Sequence, residues 1–134
     1  MTIAKLTLVI LGLLVVTVVP LVAHHSFAAE FDINAPITLT GVVTKIEWIN
    51  PHVFFYMDVR DQTGTVVSWT CQIGSPSALL DRGWKRESLK AGDSITVRAY
   101  RARSGANFAN ARLVELADGR SVFGGSSGDF GPDR

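Results

Sequence analysis

Between His52 and Arg60 apolar and polar side chains alternate. Val53, Phe55, Met57 and Val59 share one parity; His52, Phe54, Tyr56, Asp58 and Arg60 share the other. Successive side chains of a strand point to opposite faces, so the first set predicts a core face. The second set, mixed polar and aromatic, predicts a face open to ligand or solvent. Pro51 has no N–H to give a ladder and stands at the strand's start, and Asn50-Pro51 is a turn-initiating pair. Upstream, residues 37–48 read as a first strand whose apolar parity changes midway. Ile37, Leu39 and Val43 have one parity, and Val42, Ile46 and Trp48 the other. A one-residue slip turns every side chain over, so this change predicts a bulge or sharp coil beyond Gly41.

The remaining elements follow the same logic. Asp61-Gln62-Thr63-Gly64 is a hairpin loop, and residues 66–73 form a third strand with Ser68, Thr70 and Gln72 on its polar face. Ser75 as N-cap with Pro76 at the first helical position opens a short helix that buries Leu79 and Leu80 and ends at Gly83, with Trp84 beneath it. Strands at residues 94–102 and 109–116 follow, with Val122-Phe123 as a short edge strand. The expected core unites Trp48, Val53, Phe55, Val59, Trp69, Leu79, Ile95 and Val97. Three strands, a short helix and two strands predict a mainly β fold. It is a small five-stranded OB-fold-like Greek-key barrel with one short helix between strands three and four. An immunoglobulin-like sandwich is the alternative; it wants about seven strands and no central helix.

The N-terminal stretch has a different character. Lys5 is the only charge in residues 1–23, residues 6–19 are an unbroken apolar, Gly or Thr run, Pro20 breaks it, and Ala23 offers a small residue for cleavage. This is the pattern of a secretory signal peptide, which makes the protein periplasmic or secreted. A cut after Ala23 exposes His24; a cut after Ala28 has the smaller Ser26 at position −3 and discards both His24 and His25. An uncleaved anchor is the third alternative, and a span needs about 20 apolar residues. The expected organisation is therefore a signal peptide (1–23), an N-terminal arm (24–36) pinned by Phe27, Phe31 and Ile33, an OB-like domain (37–123) and a flexible Gly-rich tail (124–134).

Charge and cysteine usage narrow the partners. The chain carries 13 Lys+Arg and 12 Asp+Glu. Loss of Lys5 with the leader leaves the side chains in balance, which argues against nucleic acid, where phosphate neutralisation drives affinity. Cleavage also leaves no permanent membrane anchor. Cys71 is the only cysteine, so an exported domain has no internal disulfide. Its parity with Val67, Trp69 and Ile73 makes it a small buried hydrophobe.

Several motifs recur together. They are His24-His25-Ser26-Phe27 with Glu30-Phe31-Asp32, Glu47-Trp48 with Asn50-Pro51-His52, and Gly74-Ser75-Pro76 with Leu79-Leu80. Arg82-Gly83-Trp84, Ser88-Leu89-Lys90 with Gly92-Asp93, Asn110-Ala111, Asp118-Gly119-Arg120 and Val122-Phe123 complete the set. The combination resembles a small exported bacterial family known only as domain-of-unknown-function family 6152, over nearly all of the chain after residue 23. The resemblance implies export and cleavage before the His-His pair. It carries no established activity, so it transfers no catalytic residues.

Three constellations carry candidate chemistry. The first is His24, His25 and His52. A processed N-terminal histidine offers its α-amine, with a pKa of roughly 7.7–8.0, and its imidazole to a metal. A third nitrogen from His25 or His52 completes a planar set suited to Cu(II), the one cofactor the sequence suggests. The plain alternative is a polar cleavage flank and a histidine that caps a strand. The second is the carboxylates Glu30, Asp32, Glu47 and Asp58, which no motif brings together for acid–base work; no serine lies in a nucleophile elbow either. The third is the polar face of strands two and three, Phe54, Tyr56, Ser68, Thr70 and Gln72, where OB-folds hold extended ligands. Arg98, Arg101, Arg103 and Arg112 add charge nearby. The expected function is an exported binding or accessory protein for a small molecule, glycan, peptide or protein partner, not an enzyme. The alternative is a copper-binding protein using the processed N-terminal histidine.

Overall fold

The computed structural model describes residues 27–125. Six strands are present: β1 (Phe31–Trp48), β2 (Val53–Arg60), β3 (Val66–Gln72), β4 (Ser94–Ala102), β5 (Phe108–Leu116) and β6 (Ser121–Phe123). They lie in the order β3-β2-β1-β4-β5-β6, and a parallel pairing of β3 with β5 closes the first five into a ring. All other pairings are antiparallel. The short helix Pro76–Asp81 lies between β3 and β4. This is the mainly β, OB-like arrangement that the element order predicts, with β6 added to β5. No helix among the described residues is long and apolar enough to cross a membrane.

The ring closes because β1 serves two neighbours. It pairs with β4 as far as Val42 and with β2 from Gly41 onward. At the crossing a Cβ on Gly41 would stand 2.1 Å from the Asp58 carbonyl oxygen, so only glycine permits this approach. The register then shifts between Val43 and Lys45. This bulge is the physical cause of the parity change: Leu39 and Val43 face the core before it, and Ile46 and Trp48 pack against the core after it.

One hydrophobic cluster fills the ring. Val53, Phe55, Met57, Trp69, Cys71, Ile73, Ile95, Val97 and Val114 are all buried in it, and Trp48 and Val59 pack against it partly buried. The helix is capped as its sequence demands: Ser75 Oγ accepts from the Ala78 N–H at 3.3 Å, and Pro76 takes the first turn. Leu79 is fully buried, whereas Leu80 is 49% exposed, contrary to expectation. A helix this short has one inward direction, and neighbouring residues sit about 100° apart around its axis. Trp84 stacks edge-on to Trp48 at 6.5 Å and donates its ring N–H to the Phe123 carbonyl at 3.0 Å, which ties β6 to the helix end of the ring.

Both ends of the expected domain move outward. β1 begins at Phe31, inside the stretch read as an arm (24–36), because Phe31 and Pro36 already pair with Ala102 and Tyr100 of β4. A register shift between them hid this pairing from the apolar periodicity. Phe27 and Phe31 do pin the chain, but Ile33 is 52% exposed and does not. At the other end, Gly124 and Gly125 are buried rather than part of a loose tail. Gly124 donates to the Arg112 carbonyl and accepts from the Gly74 N–H. The absence of a side chain is what lets it in, since a Cβ there would lie 1.9 Å from the Ala111 carbonyl oxygen.

Candidate functional site

The outward parity of β2 and β3 forms a single surface. Phe54 lies opposite Gln72, Tyr56 opposite Thr70 and Asp58 opposite Ser68. The bulge in β1 extends it, placing Glu47 beside Phe54 and Lys45 beside Tyr56. On the far side, Phe108 of β5 lies level with Thr70, and its ring centroid is 6.4 Å from that of Phe54. The four expected residues Phe54, Tyr56, Ser68 and Thr70 are thus brought together, each at least partly exposed. Gln72 shares their face but is only 6% exposed. The ring closure of β3 on β5 covers it, opposite Asn110, so Gln72 belongs to the packed body rather than to the open surface.

Tyr56 is held in one orientation. Its hydroxyl donates to Glu47 Oε2 at 2.7 Å, the other Glu47 oxygen is paired with Lys45, and the Lys45 ammonium lies 5.4 Å from the Tyr56 ring centroid. The Lys45 hydrogen bond first, then that of Tyr56, holds the Glu47 carboxyl below its ordinary range. The same contact with Glu47 pushes the Tyr56 hydroxyl up. Beside this group, Ser68 Oγ donates to Asp58 Oδ1 at 2.7 Å. The surface therefore offers a phenol, two carboxylates, an ammonium and two hydroxyls on a rigid support flanked by Phe54 and Phe108. Lys45 and Phe108 escaped the sequence reading, in which Glu47 stood only as an isolated carboxylate. Lys45 and Glu47 are placed by the bulge, and Phe108 lies one residue before the strand expected at 109–116.

A cleft of about 420 Å³ continues the surface beyond Asp58, lined by Thr40, Gly41, Val42, Asp58, Arg60 and Val66. The β4–β5 arginines add no separate basic patch. Arg98 pairs with Glu115 at 3.3 Å and Arg103 with Asp32 at 3.5 Å. Arg101 lies over Trp69 and donates to the Gly105 carbonyl, and Arg112 lies over Tyr100. Cys71 is buried, and desolvation pushes its thiol up to about 12.

His24 and His25 lie outside the described residues. His52 is half-buried at the mouth of β2, and its Nδ1 is buried with no hydrogen-bond partner among the described residues. No group of three or more His, Cys, Asp or Glu side chains capable of holding a metal occurs among the described residues. A run of aromatic contacts leads from the start of the described chain across this side of the ring. Phe27 touches Tyr100 and Phe31, Phe31 touches Phe108, and Phe108 touches Phe54.

No curated protein and no solved structure matches the chain. A model of the family of unknown function DUF6152 matches residues 12–110, and the chain belongs to that family, as its motifs imply.

Proposed function

We propose that this is an exported, periplasmic binding or accessory protein, not an enzyme, that holds its ligand on the outer face of β2 and β3. One observation carries the reading: Phe54, Tyr56, Ser68 and Thr70 stand side by side and partly exposed, with Tyr56 fixed by Glu47. A preorganised aromatic and hydroxyl surface loses little side-chain entropy when it binds. The leader pattern of residues 1–23 supports export. The balanced charge directs the ligand away from nucleic acid and towards a glycan, peptide, small molecule or partner protein. Glycan and peptide arrays probed with the protein, alongside identification of what co-purifies with it from periplasm, test the reading. Retention that Tyr56→Ala abolishes supports it; retention that Tyr56→Ala and Phe54→Ala both leave intact removes this face from consideration.

A second reading, Cu(II) binding through the α-amine and imidazole of a processed His24 with His25 or His52, has its own support. His52 holds a buried ring nitrogen without a partner among the described residues, and Phe27 anchors the chain on the aromatic run that ends at Phe54. An imidazole and an amine are suitable Cu(II) ligands near neutral pH.

A further inference from the structure

The ring is incomplete along one stretch of β3. Thr70 donates its N–H to the Asn107 carbonyl at 3.0 Å, and Thr70 to Gln72 pair with β5. Before Thr70 the ladder on that side stops: Val66 to Trp69 pair with β2 alone among the described residues. The direction of their backbone groups follows from the ends of the strand. Ile73 and Val53 are bonded through the Ile73 N–H, so odd-numbered residues of β3 turn their backbone groups towards β2. Even-numbered residues turn theirs away, as Thr70 does. Val66 and Ser68 therefore present two N–H and two C=O groups along an open edge.

Protein edges are usually blunted by charge, proline, a bulge or a covering segment. The sequence Val66-Val67-Ser68 has none of the first two, and its Val66 side chain is 49% exposed. At the other terminal strand, β6, the Phe123 carbonyl is taken by Trp84 and its ring lies under Arg82. The β3 edge is shielded by no comparable contact among the described residues.

We propose that two copies of this chain associate by antiparallel pairing of their β3 edges about a two-fold axis at Val67. The open stretch is symmetric about that residue, so Val66 of one copy meets Ser68 of the second copy, and the reverse. All four edge groups of each copy are then bonded, as a closed two-fold interface requires. Exposed Val66 is covered, and the two clefts beside it come to flank the junction. Across the interface the outward row runs Asp58, Ser68, the second copy's Val66, the second copy's Arg60, so no like charges are opposed. A formal net charge of +1 for the full chain, balanced once Lys5 is lost, leaves little overall repulsion between copies. The contact is short, well under the roughly 1,200 Å² of a stable interface, so the dimer forms at high micromolar concentration and above. None of this depends on the identity of any ligand of the β2–β3 face.

Sedimentation velocity on the protein as exported by its host, from low micromolar to millimolar concentration, tests the proposal with two variants. Ser68→Pro removes an N–H that points away from β2 and so spares the β2–β3 ladder, whereas Ser68→Ala keeps it. The expected result is a concentration-dependent dimer for the parent and Ser68→Ala, and at least about a tenfold weaker dimer for Ser68→Pro. Concentration-dependent amide shifts confined to Val66 and Ser68 in the parent need no variant and locate the contact directly. A parent that stays monomeric throughout, as it would if the edge served a peptide instead, overturns the proposal. So does a dimer whose amide shifts lie elsewhere.

Discussion

The Tyr56 hydroxyl bonds to Glu47 Oε2 at 2.7 Å across the β1–β2 ladder, and Lys45 engages the same carboxylate. These are exposed or half-exposed groups, so the contact orients a surface rather than holding the fold. Tyr56→Phe is expected to change stability by no more than about 0.5 kcal/mol, the range of ordinary surface substitutions, while weakening retention of any ligand of this face. Chemical denaturation and array binding measure the two effects separately. The sign of the pH effect is fixed. Because Lys45 and Tyr56 lower the Glu47 pKa, the interaction is complete above the ordinary carboxylate range and is lost as pH falls through the depressed value. Ligand retention should fall in acid over that interval, and Glu47→Gln should abolish the acid dependence.

Gln72 separates folding from binding on the same face. It is 6% exposed and paired with Phe54 on one side and Asn110 on the other. Truncating a buried side chain removes its packed atoms, and destabilising changes of this kind cost about 0.5–3 kcal/mol. Gln72→Ala is therefore expected to lower the unfolding midpoint measurably, in contrast to Tyr56→Phe. A Gln72→Ala protein of parental stability would return Gln72 to the exposed surface.

Gly41 is the point where β1 changes neighbours. A methyl group there would press on the Asp58 carbonyl at 2.1 Å, and backbone cannot swing aside as a side chain can. Gly41→Ala is expected to cost about 1–3 kcal/mol or more, typical of overpacking. Equilibrium unfolding measures it; a loss below about 0.5 kcal/mol, the surface range, would show that the two strands part easily here.

Much of this architecture was legible because parity reports facing directly. The alternation of Val53, Phe55 and Met57 gave the core face of β2, and the parity change after Val43 announced the bulge. Phe55→Ala, at a fully buried position, is accordingly expected to cost about 3–5 kcal/mol. What stayed hidden depends on which strands meet. Gln72 has the parity of an exposed residue, and only the β3–β5 closure buries it. Glu47 reads as an isolated surface acid until the bulge sets it beside Phe54, within reach of Tyr56. Gly124 looks like the start of a loose tail until its bonds to Arg112 and Gly74 are seen.

Cys71 supplies a test of core integrity. Burial raises its thiol to about 12, against an ordinary value near 8.5. At pH 8 a thiol reagent should leave the native protein unmodified and react fully once it is unfolded. The linkage runs in the same direction. The folded state keeps a proton that the unfolded state releases, so stability is complete below the unfolded pKa and declines as pH rises towards the folded one. Rapid labelling of the native protein at pH 8 would mean that the ring opens readily near Cys71.

The histidines give the prediction with the most to lose. A chain cut after Ala23 begins with His24, whose amine and imidazole are expected to bind one Cu(II) together with His25 or His52. Phe27 and Phe31 fasten the following segment to the ring, and His52 offers a buried, unbonded Nδ1 among the described residues. Competition titration and electron paramagnetic resonance on three proteins separate the alternatives: the processed chain, one with an N-terminal extension, and His52→Ala. The extension blocks the amine, and His52→Ala removes only the distant nitrogen. Loss of affinity and an altered spectrum in both variants are expected if the fold builds the site. If the extension matters and His52→Ala does not, the metal sits on the peptide terminus alone, with His25 as its third ligand. Equal weak binding by all three shows that the histidines form no site. Mass measurement of the exported protein comes first, since removal of residues 1–28 discards His24 and His25 and ends the N-terminal form of the hypothesis.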